Sequence, residues 1–322
     1  MSKLTKFLSM KGVRQQKQDS QTGLVQWQHS LLTSKLRKIT LMAAALSLLA
    51  GFSLPTSRAA NLNLMKNGWR PETKSNLTLG LEGLSSLASN ALTQQTAELE
   101  AIARHSNFTV PPEFQGKTIH KVPLKSGRKV IALTFDDGPI PKFTNEVLYI
   151  LQHYNVKATF FLLGQNVQKY PERVRQLHLK GHALANHSWS HPYHKQSEAG
   201  AAHQIDNTSA WIQKASGVRS VLFRPPGGYL ENGLASYAAK KGQVVVMWSA
   251  DSKDYYASSQ TIVKNVLSQA SPGGIVLLHD GGGDRQKTIH ALPTIIKELK
   301  KQGYEFVTVP ELLELSQNEM RG

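Results

Sequence analysis

From Val130 to Val309 short apolar runs alternate strictly with helix-length amphipathic stretches, and this alternation limits the possible folds more than any other feature of the chain. The apolar runs Val130–Phe135, Ala158–Leu163, His182–Asn186, Ser220–Phe223, Val244–Trp248, Ile275–His279 and Glu305–Val309 predict seven strands. Helices are predicted between them at Thr144–Tyr154, Gln165–Lys180, Ser197–Ala215, Leu234–Lys241, Gln260–Ala270 and Thr288–Gln302. Lys180-Gly181 and Lys241-Gly242 each place a cation and then a glycine where a helix should end. Strand and helix in turn require a parallel sheet with helical crossovers.

Seven strands at roughly 26 residues each fall short of the ~250 residues of an eightfold barrel, and the spacing suits a smaller irregular barrel or an open doubly wound sheet equally well. The polar residues favour the barrel. Asp136-Asp137, His187, Arg224, Asp251 with Asp254, and His279 each stand at or just beyond the C-terminal end of a different predicted strand. Convergence of side chains from many strands on one rim is how barrels assemble active sites.

The chemistry available on that rim is specific. Asp136 and Asp137 leave a buried strand at a Gly138-Pro139 turn, and two adjacent carboxylates repel unless a cation or a shared proton intervenes. His187 and His191 are spaced i, i+4, which puts both rings on one face if the segment takes a helical turn, where they could grip one divalent ion. His194 is a third candidate ligand, with Pro192 interrupting the spacing. The chain has no cysteine, so Cys-based zinc sites, iron–sulfur clusters, disulfides and thiol nucleophiles are excluded, and a carboxylate must complete any metal site. Such a donor set leaves positions open for water and substrate, as catalytic zinc sites do.

Thr134-Phe135-Asp136-Asp137, His187-Ser188-Trp189-Ser190-His191, Arg224-Pro225-Pro226, Asp251-Ser252-Lys253-Asp254 and Leu277-Leu278-His279 resemble, in order, the five motifs of the NodB-homology polysaccharide deacetylases, carbohydrate esterase family 4. The resemblance spans about residues 115–315. It implies an α/β fold, a distorted (β/α)7-type barrel, and removal of acetyl groups from N- or O-acetylated sugars with one divalent metal ion. That ion would be Zn²⁺, with Co²⁺ or another first-row metal as alternatives. By motif position it implies Asp136 as general base, Asp137, His187 and His191 as metal ligands, and His279 as general acid. Arg224 would orient and charge-balance Asp136, and Asp254 would tune His279.

Two positions depart from the pattern. Gly227 stands where the family commonly has an aromatic residue, followed by Gly228 and Tyr229, and Tyr255 replaces the usual tryptophan after Asp254. A main-chain N–H at 227 survives that exchange while the ring is lost, and Tyr229 is placed to cover part of a sugar site. Among the other features, Gly281-Gly282-Gly283 lacks the Lys-Ser/Thr of a phosphate loop and reads as a tight loop over the site. Asp280 follows the proposed acid, where tuning it is one reading and a solvent or turn role the preferred one; Met247-Trp248 and Phe160-Phe161 read as core, and His182 as structural.

Charge separates the remaining regions. Residues 1–60 hold nine Lys or Arg and one acid, half of the formal net charge of +16. Lys35, Arg37 and Lys38 precede an apolar run from Ile39 to Leu54, and Ser57 and Ala59 follow as small residues, which is the pattern of an export signal. Cleavage after Ala59 and retention as an amino-terminal membrane anchor through residues 39–54 are both compatible with a run of this length. Either reading makes the protein extracytoplasmic: secreted, periplasmic or held in the cell envelope. The expected organisation is residues 1–59 as a basic stretch with the signal or anchor, 60–114 as a spacer with a helix-like Leu81–Ala103, and 115–322 as the catalytic domain. The expected partner is an acetylated polysaccharide, with peptidoglycan N-acetylglucosamine first because export delivers the enzyme to it. Chitin oligomers, poly-N-acetylglucosamine and acetylated xylan are alternatives, as is a catalytically silent carbohydrate-binding relative. Nucleic acid is not expected, since basic and aromatic residues are not interleaved.

Overall fold

The computed structural model describes residues 108–321 and, ahead of them, Thr93, Thr96, Leu99, Glu100, Ile102 and Ala103, all six helical and within the helix-like stretch of the sequence. The export segment and most of the spacer lie outside the described residues. Among the described residues no helix is long and apolar enough to cross a membrane.

Nine parallel strands form one curled sheet. In chain order they are β1 (Thr118–Ile119), β2 (Val130–Asp136), β3 (Thr159–Leu162), β4 (Ala183–Asn186), β5 (Leu222–Phe223), β6 (Val244–Val246), β7 (Ala250–Asp251), β8 (Gly274–His279) and β9 (Glu305–Val307). Neighbours follow the order β1-β6-β5-β4-β3-β2-β8-β7. β2 is the pivot. It pairs with β8 along Ile131–Asp136, with β3 only over Thr134–Asp136, and with β9 only over Val130–Ala132. One edge of β2 therefore changes partner half-way along, which makes this a distorted (β/α)7-type barrel rather than a regular one.

The period of two along β2 sorts its side chains. Ile131, Leu133 and Phe135 point outward into a core shared with α1 (Pro141–His153), α6 (Ser259–Gln269) and α7 (Gln286–Lys301). Val130 and Ala132 point inward, where they meet Phe161, Ala185, Leu222, Val244, Val246 and Ile275. Val309, Leu312 and Leu313 of α8 (Val309–Arg321) join that interior cluster. The same alternation turns Thr134 and Asp136 into the barrel, above an apolar plug.

The predicted helix Gln165–Lys180 is two helices, α2 (Gly164–Lys169) and α3 (Pro171–Leu179). Pro171 disfavours helical backbone at Tyr170 and itself suits the first turn of a new helix. α4 (Glu198–Ser216) begins with Ser197 accepting a hydrogen bond from the Gly200 N–H and ends at Gly217 with φ 82°. β1, β7 and α8 did not emerge from the sequence pattern. The two strands are two residues long, and α8 carries Pro310 within its first turn, which broke the apolar run read as a strand ending at Val309. Val110 and Phe114, in the stretch read as spacer, are buried in the interior cluster.

Candidate active site

Asp136 ends β2 and Arg224 follows β5. The Arg224 guanidinium is fully buried and lies 4.0 Å over the Phe161 ring. Its Nη1 donates to Asp136 Oδ1 at 2.7 Å and to Thr134 Oγ1 at 2.8 Å, Nε donates to Val246 O, and Nη2 donates to Met247 O. A planar fork held from three sides fixes one carboxylate oxygen and leaves Asp136 Oδ2 facing His187, 3.7 Å from its Nε2. Burial pushes the Asp136 carboxyl above the usual carboxylate range, and Arg224 opposes that push without cancelling it.

Asp137, the next residue, turns the opposite way at φ 73°. Its Oδ1 is buried without a hydrogen-bond partner and lies 3.5 Å from Nε2 of both His187 and His191. One donor atom from each of these three residues lies within 4.8 Å of the other two, and this is the metal-competent cluster among the described residues. His187 Nδ1 is 2.8 Å from Arg224 O. A carbonyl only accepts, so Nδ1 carries the hydrogen and Nε2 presents its lone pair. Burial lowers the His187 pKa to about 3, which keeps the ring neutral as a ligand requires. Two imidazole nitrogens and an orphaned carboxylate oxygen suit a divalent ion of the zinc type with positions left open.

The histidines do not meet on a helical turn, contrary to the spacing argument. Ser188 and His191 have φ of 70° and 59°, and the N–H groups of the segment are taken by side chains instead of by carbonyls one turn back. Asn186 Oδ1 accepts from the Ser188 N–H, and Gln204 Oε1 of α4 accepts from those of Trp189 and Ser190. The ring centroids still come within 5.0 Å. His194 is exposed and outside the cluster.

The opposite side of the site is built on β8. His279 is the register partner of Asp136 across the β2–β8 ladder. Its Nδ1 lies 2.7 Å from Asp254 Oδ1, while Asp254 Oδ2 accepts from the His279 N–H and from Thr288 Oγ1, both at 2.8 Å. Burial alone would lower the His279 pKa, but the hydrogen bond and charge of Asp254, with Asp136 and Asp137 behind, raise it to about 9. Asp254 moves the other way: burial raises it, and His279 and Thr288 bring it below the carboxylate range. His182, read as structural, accepts the Ala158 N–H at the far end of the strands.

Two readings need correction. Asp280 is not a solvent or turn residue: it is fully buried, accepts from Thr144 Oγ1 at 2.5 Å, and has a carboxyl pKa raised to about 7 by burial. It fits because residue 138 is glycine, where a Cβ would fall 2.4 Å from Asp280 Oδ2. Trp248 is only partly buried and lines the active-site cavity. That cavity, about 490 Å³, is also lined by Asp136, Asp137, His187, His191, Asp251 and His279, and its mouth carries Tyr193, Tyr229 and Tyr255. Gly282 lines it too, as expected of a tight glycine loop over the site. Sequence reasoning missed Tyr193 and the buried Arg285, whose Nη2 donates to Gly282 O at 2.9 Å.

A parallel barrel whose C-terminal rim joins a buried carboxylate, a two-histidine cluster and an Asp-backed histidine is the layout of a hydrolase. A family model described as polysaccharide deacetylase matches residues 124–246. The chain is 41% identical over 201 residues to a peptidoglycan-N-acetylglucosamine deacetylase of Bacillus cereus, covering 59% of this chain and 91% of that protein. It is 38% identical over 228 residues to the peptidoglycan-N-acetylmuramic acid deacetylase PdaC of Bacillus subtilis, covering 70% of this chain and 44% of that one. The solved Bc1960 peptidoglycan N-acetylglucosamine deacetylase superposes with a TM-score of 0.58 at 36% identity, covering 62% of this chain and 94% of that chain. A family pseudoenzyme from Bacillus anthracis superposes nearly as well, with a TM-score of 0.56 at 28% identity over 61% of this chain and 68% of that one. This chain belongs to the polysaccharide deacetylase family.

Proposed function

We propose that this chain is an exported, zinc-type deacetylase that hydrolyses the N-acetyl groups of peptidoglycan N-acetylglucosamine. The observation that carries this reading is the buried, unpartnered Asp137 Oδ1 facing two imidazole nitrogens, beside a carboxylate clamped by arginine. The pseudoenzyme shows that the fold alone does not decide activity, so the complete side-chain set has to carry the argument. The names of the relatives support peptidoglycan as substrate, and the amino-terminal pattern supports export.

Asp137, His187 and His191 would hold the ion. A divalent ion there supplies Lewis-acid polarisation of the acetyl carbonyl and acidifies the attacking water. Asp136 Oδ2 takes one proton from that water as its oxygen bonds to the carbonyl carbon, and Arg224 keeps the carboxylate aimed throughout. A pKa raised by burial makes Asp136 a stronger base than an exposed aspartate. By family resemblance the oxyanion is held by a backbone N–H of the Arg224–Gly228 loop, and within that loop it falls to Gly227. The Arg224, Gly228 and Tyr229 N–H groups donate to Asn186 O, Pro225 O and Pro226 O, and Pro225 and Pro226 have none to give. One such donor is worth about 10²–10³ in rate. As the C–N bond breaks, His279 gives its proton to the leaving nitrogen, so that acetate and a free amine result.

The test is acetate release from N-acetylglucosamine oligomers and from peptidoglycan by the purified full chain. Release should stop on chelation and return with Zn²⁺. Release that persists without metal would overturn the mechanism, and glycan binding without release at any pH would favour a silent binder.

A further inference from the structure

Gly227 has φ 59°, and the space its side chain would need is already taken. A Cβ there would lie 2.7 Å from Tyr193 Cε1 and 2.9 Å from Tyr229 Cε2, well inside contact distance. The two rings meet edge to face with centroids 5.6 Å apart, and Tyr193 leans on His191 in the same manner at 4.9 Å. Tyr193 thus comes from the histidine loop after β4, Tyr229 from the loop after β5, and they interlock over a residue with no side chain.

Both rings are exposed, 59% for Tyr193 and 53% for Tyr229. Eight large hydrophobic side chains are exposed among the described residues, and Tyr193, Tyr229 and Tyr255 are the three that line the cavity. Tyr255 stands on the other side of the site, its ring 6.1 Å from that of His279. Exposed aromatic faces gathered at the mouth of a polar cavity mark a ligand surface, because they give large contact area for little lost conformational freedom.

We propose that Tyr193, interlocked with Tyr229 over Gly227, is a specificity-determining residue: it forms the sugar-stacking wall on the metal-ligand side of the cleft and binds the glycan beyond the ring being deacetylated. Gly227 is then required twice, for its positive φ and for the room it leaves to Tyr193. The proposal rests on the deacetylase reading for its kinetic consequences, but not for its binding consequence.

The test uses the full chain with the N-acetylglucosamine tetramer as probe, read both by calorimetric titration and by acetate release. Tyr193→Ala should weaken binding and raise KM about tenfold, the order for losing a partly exposed aromatic contact, with kcat unchanged within about twofold. Tyr193→Phe should regain most of that loss. Gly227→Ala should reproduce the KM defect by displacing the rings and should lower kcat as well, since the same residue presents the oxyanion N–H; the double variant should raise KM no further than either single one. Melting temperatures and a Tyr149→Ala control on the exposed face of α1 separate these effects from misfolding. A Tyr193→Ala enzyme with unchanged KM or with a loss confined to kcat, or fully additive effects of Tyr193→Ala and Gly227→Ala on KM, would each overturn the proposal. If the wild type releases no acetate, the deacetylase reading fails while the titrations still decide the wall; a wild type that does not bind the tetramer ends the proposal itself.

Discussion

The two halves of the active site are built on opposite principles. On the His279 side everything is regular and mutually satisfied: the histidine ends a parallel strand, Asp254 holds both its ring and its backbone, and Thr288 completes the carboxylate. On the Asp137 side the backbone is left-handed at three non-glycine residues, Asp137, Ser188 and His191, and a buried carboxylate oxygen has no partner. Positive φ at such residues costs roughly 1–3 kcal/mol each unless the surroundings impose it. Around the histidines Asn186 and Gln204 hold the loop through three backbone N–H groups, and at Asp137 the carbonyl accepts from Asn166 Nδ2. The His279 half is satisfied within the chain itself, whereas the Asp137 half leaves a buried carboxylate oxygen facing two imidazole nitrogens. A cation there would satisfy that oxygen, so on the proposed reading the halves should respond differently to metal and to substitution.

The largest effect expected is from His187→Ala, which should abolish acetate release and also the rise in melting temperature that Zn²⁺ gives the wild type. That rise should correspond to about 2.7 kcal/mol at a zinc concentration 100 times Kd. Asp136→Asn should lower kcat by about 10²–10⁴ and keep the zinc-induced rise, which is measured by the same thermal scan. His279→Ala should likewise cost about 10²–10⁴ in kcat with zinc binding intact. If it lost zinc binding too, the two halves would not be independent. Smaller effects should appear in the pH dependence. The His279 pKa is raised, so the protonated acid persists through neutral pH and activity should fall as pH climbs through about 9. The ion pair's contribution to stability has the same sign: it is fully present below about 6.5, the ordinary histidine value, and is lost on passing about 9. Asp254→Asn removes the charge that raises His279, so the alkaline limb of kcat should move down toward 6.5. An unmoved limb would show that Asp254 does not tune the acid.

How much of this was legible in the sequence depended on whether a residue's place follows from the sheet. Asp136, Arg224 and His279 could be placed on one rim because parallel strands bring all their C-terminal ends together, and alternation along β2 turns Asp136 inward. The same argument puts Asp254 near the rim, just beyond a predicted strand, but its pairing with His279 follows from the motif alone, since it sits in a turn. The contact between His187 and His191 was read correctly but for the wrong reason: Gln204, which shapes their loop, sits mid-helix in α4 with no local signal. Asp280 looked like a turn residue because nothing in the sequence shows that Gly138, more than a hundred residues away, makes room for its carboxyl. The glycine at 227 was legible as a departure, but the identity of the ring that fills its space was not, because Tyr193 arrives from another loop.

The way β2 divides its edge also sets an order in time. Ile131 needs Gly274 on one side and Phe306 on the other before its ladders are complete. The strand that carries Asp136 is therefore finished only when the last strand docks, and pairings of such long sequence separation slow folding. Its two ends differ in this respect: Asp136 is framed by β3 and β8 alone, whereas Val130 at the start pairs with a strand from the far end of the sequence.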